Sequence, residues 1–370
     1  ILVLNEMVKD NYESIKNDAE FIESKVPHEL ESFVENVSKT SYQYLELILE
    51  NPKEQIANSN FDLEKIVDTS DTWIYERTGI RQRHVCAEDQ ATSDLGLEAA
   101  KRALADANVS PEELDLIILA TVSPDTMFPA VACRVQDALG AKNAAAFDLS
   151  AACSGFAYAM TVGSQFIKTG MYKKVLIVAA EALSKITNWE DRNTCVLFGD
   201  GAGAVILGEV EEGYGIIEVE LGSEGAGANL LHMPAGGSRQ PATPETVAEK
   251  LHSIHMNGNE LFKFAVKTMG ESAIRAIEKA GLTPEDISLL VPHQANMRII
   301  KSAAKRLGFP MDKVFVNVDK YANTSSASIP LALDEAVKGG HIKKGDTFVI
   351  VGFGAGLTWA SAVIKWYKED

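Results

Sequence analysis

The chain has 370 residues, 46% of them apolar and 24% charged, enough for a large core in one big domain or two medium ones. A net charge of −17 argues against general nucleic-acid binding, though a local basic patch could still recruit an acidic partner. Cys86, Cys133, Cys153 and Cys195 lie far apart with no C-x-x-C pair, which excludes a disulfide framework and a zinc site, and no uncharged apolar run reaches the roughly 20 residues of a membrane span.

The opening Ile1-Leu2-Val3-Leu4-Asn5-Glu6 has neither the basic segment nor the cleavage site of a signal peptide, so a reducing, cytoplasmic setting is expected. Residues 1–56 are acidic and glycine-free, and read as a helical N-terminal extension. One pattern runs to about Ser24; a second, with Leu30, Phe33, Val34, Val37, Tyr44 and Ile48 near one face, stops at Asn51-Pro52. From Phe61 the pattern alternates between helix and strand. Helices are expected over 61–66, 94–107 and 131–139, and buried strands over 116–120 and 175–180.

An internal echo divides the chain beyond the extension into halves, 57–212 and 213–370. The Ala-rich stretch from Ala99 meets Ser110-Pro111-Glu112 before a strand, and the stretch from Ala273 meets Thr283-Pro284-Glu285 before another. Two duplicated α/β halves with mixed, mostly parallel sheets are expected, and sites in such sheets gather at strand C-termini.

The chemistry is expected at three such ends. Ala151-Ala152-Cys153-Ser154-Gly155-Phe156 places Cys153 between a strand and an apolar helix, where unpaired N–H groups and the helix dipole favour a thiolate. The bland alternative is a buried structural cysteine. Val291-Pro292-His293 places His293 after a strand of the second half, and Asn323 sits on a small-residue turn before a helix. If the halves face each other, Cys, His and Asn converge into a kit for covalent acyl chemistry. Gly352-Phe353-Gly354-Ala355-Gly356 can present N–H groups to an oxyanion. Phe198-Gly199-Asp200-Gly201-Ala202-Gly203 precedes a strand, fails the context of a nucleotide loop and reads as a structural turn. Arg298, Lys301 and Lys305, with Arg306 beside them, form a basic stripe that could draw an anionic carrier.

Taken together, these residues resemble β-ketoacyl-acyl carrier protein synthase III, the initiating condensing enzyme of type II fatty-acid synthesis, over residues 56–366. The matching motifs run from Asp71-Thr72-Trp73 through Arg77-Thr78-Gly79-Ile80, then Ala151 to Phe156, Phe198 to Ala204, Val291 to Asn296, and Gly354-Ala355-Gly356. The resemblance implies the thiolase-like fold, layered αβαβα. It implies condensation of an acyl-CoA, acetyl-CoA being the expected donor, with malonyl-acyl carrier protein through an acyl-cysteine. No cofactor or metal is implied beyond the coenzyme A thioester. Cys153 would be the nucleophile, His293 and Asn323 the donors to the malonyl thioester carbonyl, and the N–H groups of Cys153 and Ala355 the oxyanion hole. Trp73 and Arg192 would sandwich the adenine of coenzyme A, with Arg77, Thr78, Leu197, Gly258, Asn259, Phe262 and Asn296 along its tunnel. Phe128 would close the acyl pocket of the neighbouring subunit in a homodimer, and Lys263, Arg298, Lys305 and Arg306 would dock the carrier protein. The alternatives are a thiolase-fold acyltransferase of secondary metabolism and a non-catalytic acyl-CoA-binding protein. One departure stands out: the family opens with a glycine-containing strand, whereas here Asn51 to Ile56 matches only its tail, so Ile1 to Leu4 supplies that strand or it is missing. A second is Ala355 in place of a glycine, tolerated only if its φ stays negative.

Overall fold

The structure, a computed structural model, describes residues 56–368. The expected N-terminal extension, and the strand that Ile1 to Leu4 would supply, lie outside the described residues. Strand β1 (Ile56–Ser59) pairs antiparallel with β2 (Gln82–Val85), and helix α1 (Asp71–Thr78) lies between them in sequence. Ser70 Oγ caps α1 by accepting the Trp73 N–H at 3.1 Å, and Gly79 ends it in the left-handed region at φ 79°.

The first sheet draws on β3 (Leu116–Ala120), β4 (Ala145–Leu149), β5 (Lys174–Glu181) and β6 (Gly201–Gly208), in the order β4-β3-β5-β6. Helices α2 (Thr92–Ala107), α3 (Val131–Leu139) and α4 (Gly155–Lys168) belong to the same stretch. The second sheet begins with β7 (Gly215–Ser223). After the two-residue strands β8 (Leu231–His232) and β9 (His255–Met256) and the long helix α5 (Gly258–Lys279) come β10 (Leu289–Pro292), helices α6 (Met297–Leu307) and α7 (Ser328–Lys338), β11 (Thr347–Gly354) and β12 (Thr358–Lys365). Its order is β10-β11-β12-β7.

Three apolar clusters define the layering. One joins α2 and α3 to the first sheet, through Ala100, Leu104, Val135, Ile117 and Val178. The middle one buries α4 and α7 between the sheets, with Phe156, Ile329, Ile118, Ile177, Ile350 and Ala362 in contact. The third joins the second sheet to α5 and α6, through Met269, Ile300, Val349 and Val363. The result is helix, sheet, helix, sheet, helix, with both sheets covered on both faces, which is why their inner strands are continuous apolar runs.

The duplication holds at atomic detail. Ser110 and Thr283 each open a one-turn helix whose acidic third residue accepts their N–H: Ser110 N to Glu113 Oε2 at 2.9 Å, Thr283 N to Asp286 Oδ2 at 2.8 Å. The β5–β6 and β11–β12 pairs are both eight residues against eight, antiparallel. The expectation of mostly parallel sheets needs correction. It holds for β4-β3-β5, but in the second sheet only β10–β11 is parallel, while β11–β12 and β12–β7 are antiparallel. The loop from β11 to β12 is three residues, too short for a parallel crossover. The halves also differ at one edge. β7 covers the outer edge of β12, whereas among the described residues no strand pairs with the outer edge of β6.

Candidate active site

Cys153 sits in the one-turn helix Ala152–Ser154, immediately before α4, with Ala152 at φ 47°. Its second-half counterpart is the turn Ser325–Ala327 before α7, with Ser325 at φ 49°. The two turns pack on each other. A Cβ on Gly155 would fall 3.1 Å from Ala120 Cβ and 3.4 Å from Ser326 Cβ, so the small residues noted in the sequence permit this approach. The end of β11 closes on the same spot: a Cβ on Gly354 would lie 2.5 Å from the Cys153 nitrogen. Thr358 Oγ1 lies 2.8 Å from Ser154 Oγ and 3.0 Å from the carbonyls of both Ala151 and Ala355, tying the glycine-rich loop to the cysteine turn. Ala355 is not among the residues with positive φ, so replacing glycine there leaves its backbone unstrained.

Cys153 is 5% exposed, His293 1% and Asn323 8%. His293 follows β10, and its ring meets Phe353 of β11 edge-on, centroids 5.7 Å apart. Its Nδ1 lies 2.6 Å from the Oγ of Ser328, the first residue of α7, and that same oxygen accepts the Gln294 N–H at 3.3 Å. The bond from Gln294 is one that Ser328 accepts, so Nδ1 is the acceptor within reach of its own proton; with that proton on the Nδ1 side, the hydrogen of the neutral ring is assigned to Nε2. Burial pushes the imidazole pKa down to about 3, so the ring is a neutral donor at neutral pH. Asn323 is held by the loop that resembled a nucleotide fingerprint. Its N–H donates to the Leu197 carbonyl at 2.9 Å, and its carbonyl accepts the Gly199 N–H at 3.0 Å. The side-chain Oδ1 accepts the Ser325 N–H at 2.9 Å, so Nδ2 is the end left to donate. Two neutral donors and a thiol thus stand on adjoining turns.

The expected thiolate is not the resting form. Burial, with the nearby Glu181 carboxylate, pushes the Cys153 thiol up to about 12. The sequence showed the helix but not the depth of burial.

Of the residues expected to bind coenzyme A, Trp73, Arg77 and Arg192 form a surface group. Arg192 lies over the Trp73 ring at 4.8 Å and Arg77 at 4.4 Å. Atoms in contact sit ~3.5–4 Å apart, so an adenine with a contact on each face needs more room than this gap offers and must displace the guanidinium. Arg192 also donates to the Asp68 carbonyl at 2.7 Å. Asn296 caps α6 and donates to the Arg77 carbonyl at 3.2 Å, joining α6 to α1. Thr78 is buried, and its hydroxyl donates to the Ile74 carbonyl and accepts the Ile80 N–H, closing the helix. Leu197 and Phe262 are half-buried beside the third cluster, and Gly258 and Asn259 are exposed at the start of α5. Phe128 is 85% exposed. Of the basic residues, Lys263 is paired with Glu260 at 2.8 Å and Arg306 with Glu271 at 2.9 Å, while Arg298 covers Phe262 at 5.7 Å and Lys305 is exposed. Three residues at the centre escaped the sequence reading: Ser328, which sets the His293 tautomer, Ser325 and the buried Glu181. The duplication was the signal that could have found the serines, since it aligns their turn with the cysteine turn.

Comparison with known proteins gives a consistent picture. Two family models, described as 3-Oxoacyl-[acyl-carrier-protein (ACP)] synthase III and its C-terminal part, match residues 147–225 and 277–366. A protein of Caldanaerobacter subterraneus subsp. tengcongensis named beta-ketoacyl-[acyl-carrier-protein] synthase III is 62% identical over 310 residues, 84% of this chain and 94% of its own. One of the same name from Desulfitobacterium hafniense is 58% identical over 311 residues, again 84% and 94%. The crystal structure of 3-oxoacyl-[acyl-carrier-protein] synthase III from Aquifex aeolicus superposes with a TM-score of 0.78 at 49% identity, over 85% of this chain and 97% of that one.

Proposed function

The chain belongs to the β-ketoacyl-[acyl-carrier-protein] synthase III family, and from that we propose the residue roles by which it condenses an acyl-CoA with malonyl-acyl carrier protein. It is a condensing acyltransferase that initiates fatty-acid synthesis, yielding a 3-oxoacyl-acyl carrier protein, coenzyme A and CO₂. Acetyl-CoA is the donor we favour.

In this reading Cys153 attacks the acyl thioester, a soft nucleophile whose product stays thioester-reactive. Loss of CO₂ from the malonyl group then makes the carbanion without a strong base, provided its enolate oxygen meets neutral donors. His293 Nε2–H and Asn323 Nδ2–H are such donors. The enolate carbon attacks the acyl-cysteine, and the oxyanion forms against the N–H groups of Cys153 and Ala355. No step draws on a cofactor. Trp73, Arg77 and Arg192 hold the nucleotide end of coenzyme A, and Arg298, Lys301 and Lys305 supply the positive face for the carrier protein.

We further infer a homodimer. Strand β4 is an edge of the first sheet, and Met127 and Phe128 nearby in the chain are 78% and 85% exposed. A second β4 pairing there would cover an open edge and bring each Phe128 to its partner's site. Free cysteines at 86, 133, 153 and 195 suit the cytoplasm, and among the described residues no helix is long and apolar enough to cross a membrane.

The observation that carries the reading is the joining of Cys153, from one half, to a turn of the other half that fixes Asn323 and His293. Incubation with a panel of acyl-CoAs and then intact-mass measurement tests it. One acyl group per chain, lost in Cys153→Ala, is expected. Acylation persisting in that variant would refute it.

A further inference from the structure

Glu181 ends β5 and is 0% exposed. Its Oε2 accepts from Thr121 Oγ1 at 3.1 Å, the Val122 N–H at 3.1 Å and Ser123 Oγ at 2.6 Å, all in the first half. Its Oε1 accepts from Ser326 Oγ of the second half at 2.7 Å. Aligning the two turns by their positive-φ residues places Ser326 where the first half has Cys153. The carboxylate therefore sits at the junction of the duplicated turns.

Beside it lies an orphan. Ser325 is 3% exposed, and its hydroxyl has no hydrogen-bond partner. It is the neighbour of Ser326, which binds Glu181, and it stands on the turn that packs against the Cys153 turn; its hydroxyl favours the charged form of both the Cys153 thiol and the Glu181 carboxyl. A buried hydroxyl without a partner is destabilising, so its retention calls for a reason.

The acylation step has an unmet need. Cys153 is a thiol at rest, and its proton must go somewhere as the sulfur attacks. His293 cannot take it, because Nδ1 is engaged by Ser328 and Nε2 already carries the ring hydrogen. We propose that Glu181 takes up the Cys153 proton through the Ser325 hydroxyl as the cysteine is acylated. The thiol proton passes to Ser325 Oγ while the proton of Ser325 passes to Glu181. The sulfur bonds to the thioester carbonyl carbon, the bond to the coenzyme A sulfur breaks, and that leaving thiolate receives the stored proton by the same path. Burial holds the Glu181 carboxyl above the usual carboxylate range, which makes it a stronger acceptor than an exposed glutamate. Among the described residues the titratable group beside it is the Cys153 thiol; Thr121 and Ser123, beyond the end of β3, and the Ser325–Ala327 turn present hydroxyls, and Val122 an N–H. Glu181 acts through Ser325, and the inference rests on the condensing reading above.

The test is the rate of acyl-Cys153 formation from acetyl-CoA, measured by rapid quench and intact mass, across pH 5.5–9 and in heavy water. Ser325→Ala removes a group bonded to nothing, so it should fold. It and Glu181→Gln are each expected to slow acylation about a hundredfold at neutral pH, the scale of general acid–base assistance. The double variant should be no slower than either single one, as for groups acting as a unit. The wild type should lose rate on the acid side as Glu181 protonates, and Glu181→Gln should lack that limb. The heavy-water effect should vanish in Ser325→Ala. Wild-type rates in Ser325→Ala, or a slow Glu181→Gln beside a normal Ser325→Ala, would overturn the relay while leaving Cys153 as the acylated residue. Absence of acylation in the wild type would instead overturn the condensing reading itself.

Discussion

His293 shows how one side chain's surroundings decide its chemistry. Its pKa, pushed down to about 3 by burial, lies below the unfolded value near 6.5. Between those values the unfolded chain binds the proton and the folded chain does not, so stability is intact above pH 6.5 and falls as pH drops toward 3. The slope is at most ~1.4 kcal/mol per pH unit. His293→Gln should therefore flatten the melting temperature between pH 6.5 and 4.5 relative to the wild type, measured by calorimetry. The same neutrality makes CO₂ release insensitive to histidine titration: no inflection near pH 6.5 is expected in its rate. Removing the donor in His293→Ala should lower that rate about 10²–10³-fold, the usual cost of one oxyanion-type donor. An equal rate in that variant would show that Asn323 alone stabilises the enolate.

At the scale of elements, the site depends on how closely β11 approaches the cysteine turn. Gly354→Ala would set a methyl 2.5 Å from the Cys153 nitrogen and 3.0 Å from Ala152 Cβ. Both neighbours belong to a short helix that cannot retreat without moving Cys153. The expected result is a folded protein whose acylation by acetyl-CoA is abolished or strongly slowed, read by intact mass. Helix α1 offers a contrasting case. Trp73 lies under two guanidinium groups and is remote from the reacting sulfur in sequence and element. Trp73→Ala should raise KM for acyl-CoA about tenfold, from a loss of ~1–2 kcal/mol of stacking and cation–π contact, with kcat little changed. A fall in kcat with KM intact would place Trp73 outside the nucleotide site.

For the whole molecule, the duplicated halves explain why the active centre lies where it does. Each half carries a tight turn just before a buried helix, and the halves join with those turns in contact. The proposed dimer extends this to a second copy through β4. Phe128→Asp should shift the protein toward monomer in sedimentation experiments and reduce acylation, because each acyl pocket then loses its closing side chain. The proposed carrier-protein face predicts a salt response. With exposed Arg298, Lys301 and Lys305 on one helix, KM for the malonyl carrier protein should rise between 50 and 300 mM salt, as screening shortens from ~14 to ~6 Å, while acylation by acetyl-CoA should respond less.

The sequence by itself determined the order and type of the elements and the duplication. Leu116 to Ala120 and Val131 to Leu139 fall on the observed strand and helix. Those features rest on local periodicity, turn chemistry and the Ser/Thr-Pro-Glu caps, which act over a few residues. Likewise, the placement of Cys153, His293 and Asn323 on turns that lead into helices was legible from the small and apolar residues around them. Tertiary structure alone decided the direction of the second sheet's strands, the protonation of Cys153, the tautomer of His293 and the place of Glu181. Each of those depends on groups brought together from distant positions, such as Glu181 with Ser326 or His293 with Ser328. Burial depth and hydrogen-bond partners across that distance leave no mark on a local pattern of residues.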